Sequence, residues 1–178
     1  MAKKSPKSGP PIVQEHAEDA PVGWKETQEV LAAGTGLSLL LVEGRQPPAI
    51  AVSNNNSICE AFQSSPDHVK LCDPYCGDAH RKAMSAGTMV EYKCHAGLQC
   101  FTQPVTIGSE RNLAVIGGRA FVKSADYQSL IERLRAGDLQ ELGSDDIFRN
   151  IVFGDADRLH DFANLGDRRL NCRLSFFP

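Results

Sequence analysis

The longest largely apolar run in this chain is six residues, Leu37 to Val42. That length suits a β-strand and falls far short of the ~20 residues a membrane-spanning helix needs. The other strand-like runs are as short and end in turn residues. Residues 49–52 follow the turn Glu43-Gly44-Arg45-Gln46-Pro47-Pro48, and residues 88–94 alternate in side-chain character. Residues 101–107 and 112–116 flank Gly108-Ser109-Glu110, and Gly117-Gly118 leads into Ala120-Phe121-Val122. Pieces of this kind have to pair in a sheet.

Helical patterns lie between and after them. Residues 27–33 read as a short helix expected to stop at Gly34. Asp73 reads as an N-cap with Pro74 in the first turn, and that helix runs to Ala86 and stops at Gly87. Tyr127, Leu130, Ile131 and Leu134 follow amphipathic spacing up to Gly137. Two more short helices are expected, one around Ile147, Phe148 and Ile151, the other around Leu159, Phe162, Ala163 and Leu165. The order predicts an α+β domain with a mostly antiparallel sheet flanked by helices. Its organisation reads as a disordered leader over 1–20, a domain over 21–125 and a helical extension over 126–178. Gly117-Gly118 is too short to cradle a phosphate and reads as a bend in a strand.

At 178 residues, with 42% hydrophobic and 23% charged, the chain can bury a core without disulfides. A net charge of −3 gives no electrostatic reason to hold nucleic acid or an anionic membrane. The basic N-terminus has no apolar segment behind it, so no secretory signal is expected and the cytosol is the expected location.

Six cysteines stand against that background, and five of them fall between Cys59 and Cys100. In a reducing compartment such clustering points to metal or redox chemistry before structural disulfides. The successive steps of 13, 4, 18 and 6 residues match neither a zinc ribbon nor a ferredoxin run. With a helix starting at Pro74, however, Cys76 lies in its first turn, where backbone N–H groups favour a thiolate. Cys59, Cys72, Cys76 and Cys94 are the candidate ligands for Zn²⁺ or an iron–sulfur cluster. The alternative is that they pack as small hydrophobes, which is the reading for Cys100 and Cys172. His95, beside Cys94, is the histidine expected to matter. His80 lies four residues after Cys76 and can support a site. His68 is expected at the surface, and His16 and His160 in solvent.

The landmarks from Ile58 to Val122 together resemble the PocR sensory domain family. They are Ser57-Ile58-Cys59, then Ser64-Ser65-Pro66, then Cys72 and Cys76. Tyr92-Lys93-Cys94-His95-Ala96-Gly97-Leu98 follows, then Phe101-Thr102-Gln103-Pro104-Val105 and Gly117-Gly118-Arg119-Ala120-Phe121. Gly34-Thr35-Gly36-Leu37 and the Glu43-Gly44 turn fit upstream. The resemblance implies a PAS-like fold that binds a small organic molecule, a hydrocarbon derivative such as a short diol, and passes the signal to an output module. It also implies a shared metal or redox role for the cysteines and, by analogy with other PAS-like sensors, a homodimer. By strand register Trp24, Val90, Tyr92, Phe101, Gln103 and Val115 are candidate pocket residues, with His95 beside them. No helix-turn-helix, kinase or cyclase pattern follows residue 125, so the output module is expected on a separate partner or outside this segment. Two rivals remain. One is a metal or redox sensor with no organic ligand. The other is a thiol enzyme using Cys76 or Cys94 with His80 or His95, which lacks an orienting third residue; no catalysis is therefore expected.

Overall fold

The computed structural model describes residues 23–44, 49–64, 66–107, 110–139 and 147–173, with the backbone alone for 110, 111 and 165–173. The expected leader lies outside these residues, as does the side chain of Cys172.

Five strands form one antiparallel sheet in the order β2-β1-β5-β4-β3. They are β1 (Ser38–Glu43), β2 (Ala49–Ser53), β3 (Val90–Lys93), β4 (Gln99–Ile107) and β5 (Glu110–Ala120). Pairing of β3 with β4 stops at Val90 opposite Thr102, two residues before Pro104, which has no N–H to donate to a neighbour. Along β1, β4 and β5 both faces are buried, so apolar residues fill consecutive positions rather than alternate ones, while edge strand β3 alternates with Glu91 and Lys93 exposed. Leu39, Leu41 and Val115 point to one face and Leu40, Val42 and Ile116 to the other.

On the first face lie α1 (Trp24–Thr35) and α6 (Ala156–Arg173). Trp24 is fully buried there, and its indole N–H donates to Gln28 Oε1 at 2.7 Å. Gln28 in turn donates to Leu39 O at 3.3 Å, so neither polar group is stranded. Leu159, Phe162 and Ala163 of α6 complete that core. A large side chain buried in this way contributes about 1.5–3 kcal/mol.

The second face carries the chain between β2 and β3. It holds α2 (Ser57–Gln63), α3 (Pro66–Val69), one 3₁₀ turn (Lys70–Cys72), one π turn (Asp73–Gly77) and α4 (Asp78–Ala86). α5 (Ser124–Ala136) closes the end of this face through Leu130 and Tyr127. The helix expected from Pro74 therefore begins earlier. Asp73 sits inside a continuous helical path, and Cys76 lies in a π turn rather than at a helix start. Gly87 does end α4, at φ 68°, with its N–H on Ala83 O. Residues 147–150 form turns, not the expected helix. They dock on α2, with Ser57 Oγ donating to Ile147 O at 2.8 Å. Among the described residues no helix is long and apolar enough to cross a membrane.

Candidate functional site: a thiol-lined chamber under the β2–β3 helices

Four stretches of chain meet on the second face. Asn56 caps α2, accepting from the Ile58 N–H at 2.9 Å, and this sets Cys59, Phe62 and Gln63 toward the sheet. The 3₁₀ and π turns bring in Cys72 and Cys76. Such irregular turns recur at functional sites because they re-aim side chains that a regular helix would space differently. The tight turn after β3 supplies Cys94, His95 and Leu98, and it is closed by Cys94 N–H on Leu98 O at 2.9 Å. β4 and β5 supply Cys100, Ile116 and Arg119. Together these side chains enclose a cavity of about 20 Å³, the size of a single water or ion.

Arg119 reaches the chamber through a defect in the sheet. Gln99 pairs with Ala120 but Cys100 pairs with Gly118, which leaves Arg119 as an extra residue. Gly118 and Arg119 both have positive φ, 87° and 57°. Alternation from Ile116 would turn Arg119 to the opposite face. The bulge reverses the phase, so Arg119 and Phe121 face the chamber while Ala120 joins the α1 and α6 side. A non-glycine residue in that conformation costs about 1–2 kcal/mol. Asn56 holds the bulge, donating to Arg119 O at 3.0 Å.

The guanidinium is 2% exposed. Its Nη1 donates to Asn55 Oδ1 at 3.2 Å, and among the described residues no carboxylate lies within ion-pair distance of it. Burial works against its charge, but the facing Cys59, Cys76, Cys100 and Tyr92 groups hold its pKa above the ordinary value.

Burial is the largest influence on Cys59, Cys72 and Cys76. It pushes Cys59 up to about 12, against the pull of Arg119. Cys72 is raised by burial and by Cys76. Cys76 is also raised by burial, with Arg119 and the Tyr92 hydroxyl opposing. The helix-start argument for a Cys76 thiolate therefore does not hold. Cys94 is the thiol that shifts the other way, downward, because Cys100 and the backbone N–H groups of Ala96 and Leu98 hydrogen-bond to it. That same bond to Cys94, and then burial, raise Cys100. Cys59, Cys72, Cys76, Cys94 and Cys100 are all free thiols. Among the described residues no three His, Cys, Asp or Glu side chains stand as a ready-made metal site.

His95 packs its ring edge-on against Phe62, with centroids 4.3 Å apart, and its Nε2 lies 3.6 Å from Cys72 Sγ. Burial and the Arg133 charge lower it to about 4. Among the described residues, its Nδ1 and Gln63 Oε1 are buried without a hydrogen-bond partner. Leu71 and Tyr75 lie over this side of the molecule, both about two-fifths exposed at 41% and 42%, with the Tyr75 ring 5.8 Å from His95. His68, expected at the surface, is buried with its ring against Phe62. His80 is buried on α4. His160 is exposed and meets Glu91 Oε1 at 2.8 Å.

The expected pocket residues divide between the two faces. Tyr92 and His95 stand with the cysteines, while Trp24, Phe101, Gln103 and Val115 line a separate cavity of about 10 Å³ beneath α1 and α6. A third cavity, about 230 Å³, is a cleft at the β3 edge bounded by Lys93, Phe101, Asp126 and Leu159. Two of its charges are paired, Lys93 to Asp126 at 3.0 Å and Glu91 to His160 at 2.8 Å, and Lys123 also lines it. Sequence reasoning passed over Arg119 and Gln63. The Gly-Gly step before Arg119 was the available signal, since glycine inside a strand marks bulges.

A five-stranded antiparallel sheet in this order, with a chamber enclosed by the helices between β2 and β3, is a PAS-like sensory fold. A family model described as the sensory domain found in PocR matches residues 23–168, most of the chain, and the chain belongs to that family. No curated protein and no solved structure matches it.

Proposed function

We propose that this domain is a non-catalytic sensor whose ligand, a small hydroxylated hydrocarbon derivative such as a short diol, seats in the thiol-lined chamber. One observation carries the reading: Gln63 Oε1 and His95 Nδ1, two buried polar atoms without partners among the described residues, stand at the wall of one cavity. Buried polar groups left unmatched are costly, and a hydroxylated ligand supplies the missing bonds. Among the described residues, none that lines the cleft at the β3 edge carries such an atom.

A cavity of about 20 Å³ is too small for a diol as it stands. Entry requires the segment carrying Leu71 and Tyr75 to move outward. A ligand that favours this open state over the closed one shifts the balance between them, and that shift is the signal. The output module and a second copy of the chain are the partners this reading assigns, in a reducing cytosol that keeps the thiols free. Catalysis fits poorly. Cys72 and His95 touch, but burial raises the thiol and lowers the imidazole, the reverse of a thiolate–imidazolium pair.

Calorimetric titration with propane-1,2-diol and its short homologues tests the proposal. Saturable binding to the wild type, weakened roughly tenfold in Gln63→Met by loss of one hydrogen bond, is expected. Absence of binding to every short diol contradicts the ligand class. Equal affinity in the variant contradicts the chamber.

The convergence of Cys59, Cys72, Cys76 and Cys94 on the same cavity supports a second reading, a metal or redox sensor holding Zn²⁺ or an iron–sulfur cluster. Elemental analysis and a visible spectrum of anaerobically purified protein distinguish zinc, a coloured cluster and neither.

A further inference from the structure

A guanidinium carries a permanent positive charge and a fork of N–H donors, so a buried arginine shows by its partners what it is there to hold. Arg119 is 2% exposed, and the fold commits a bulge, two consecutive positive-φ residues and a buried Asn56 to turning it inward. Among the described residues its side chain makes one hydrogen bond, from Nη1 to Asn55 Oδ1 at 3.2 Å, and none to a sulfur. No carboxylate among them lies within ion-pair distance of it. A charge in a dry interior is costly until an opposite charge meets it.

The rest of the cavity wall says what kind of molecule would bring that charge. Gln63 Oε1 lines the same cavity and is a buried acceptor with no donor among the described residues. An acceptor calls for a hydroxyl, and a cation calls for an anion. Phe62, Leu98 and Ile116 give the wall its apolar part. One guanidinium balances one negative charge, and its planar fork matches the two coplanar oxygens of a carboxylate. A phosphate dianion would bring a second charge, and among the described residues this wall holds no second guanidinium and no ammonium group.

We propose that the chamber seats a short-chain hydroxy acid, with its carboxylate on Arg119 and its hydroxyl on Gln63. This rests on the reading of the chamber as the site of a small hydroxylated molecule and adds the charge that molecule carries. Recognition is non-covalent. The guanidinium donates to the carboxylate, the hydroxyl donates to Gln63 Oε1, and the alkyl chain meets Phe62, Leu98 and Ile116. Entry uses the same outward movement of the segment carrying Leu71 and Tyr75. A neutral diol satisfies Gln63 but leaves the guanidinium without its anion, so the acid binds more tightly than the diol of the same carbon skeleton.

Calorimetric titration of the full chain compares both enantiomers of lactate, the neutral isostere lactamide, and propane-1,2-diol. Lactate is expected to bind the wild type roughly 10–100-fold more tightly than lactamide or the diol, the scale of a charge-assisted bond to a buried group. In Arg119→Met the preference for lactate over lactamide should fall to within about twofold, because the cation that distinguishes them is gone. Lactamide or the diol binding the wild type as tightly as lactate overturns the inference and leaves the diol reading in place. A preference for lactate that survives in Arg119→Met also overturns it, since the carboxylate is then held elsewhere. If neither lactate nor any short diol binds, the ligand reading of the chamber falls and this inference with it. The lactate–lactamide comparison needs only the wild type, so it decides the matter even where Arg119→Met fails to fold.

Discussion

The Phe101 ring lies across the strand pair against Gly117, its partner on β5. A methyl group on Gly117 would overlap that ring and stand 2.9 Å from Leu39 Cδ2. Gly117→Ala should therefore destabilise the domain by about 1–3 kcal/mol through overpacking, read as a lower midpoint in chemical denaturation. The next residues show why the candidate site was only partly legible. The cysteines could be singled out from composition and clustering, and Cys59, Cys72, Cys76 and Cys94 do share one cavity. Arg119 could not, because strand alternation sends it to the wrong face. Only the pairing of Gln99 with Ala120 and Cys100 with Gly118 reveals the phase reversal. A Gly-Gly step hints at a bulge but does not say which neighbour it turns inward.

At the level of elements, α5 is fastened to the rim of the chamber. Arg133 Nη1 donates to His95 O at 2.6 Å, and Lys93 pairs with Asp126 at the start of the helix. A ligand that displaces the turn carrying Cys94 and His95 must pull on these contacts. Arg133→Met should speed hydrogen exchange of α5 amides roughly tenfold, the scale of one charge-assisted bond, while the β4 and β5 amides keep their protection. Uniform acceleration across the sheet would mean that the bond supports the whole fold instead. Leu130, in the same helix, is 1% exposed, so a charged residue there would disrupt packing rather than report on signalling. Helix ends marked by Gly87 and Gly137 were readable because a left-handed residue leaves a local signature. The 3₁₀ and π turns before α4 were not. They set Cys72 and Cys76 on the chamber wall, whereas Asp73-Pro74 reads locally as a helix start.

Across the whole molecule, the sheet is buried on both faces along β1, β4 and β5, and this decided which sequence expectations could succeed. Apolar runs and turn residues locate β1, β2, β4 and the body of β5 without reference to the other face. Which face a residue lines depends on register, and the expected pocket set accordingly split: Tyr92 and His95 with the cysteines, Phe101, Gln103 and Val115 beneath α1 and α6. The functional proposal is that the face under the β2–β3 helices receives the ligand and the opposite face is structural core. Amide NMR spectra recorded while propane-1,2-diol is added test that most directly. Shifts concentrated in residues 58–63, 72–76 and 94–100 are expected. Shifts centred on Trp24, Gln103 and Phe162, or on Lys93 and Asp126, or no shifts at saturating diol, would contradict it.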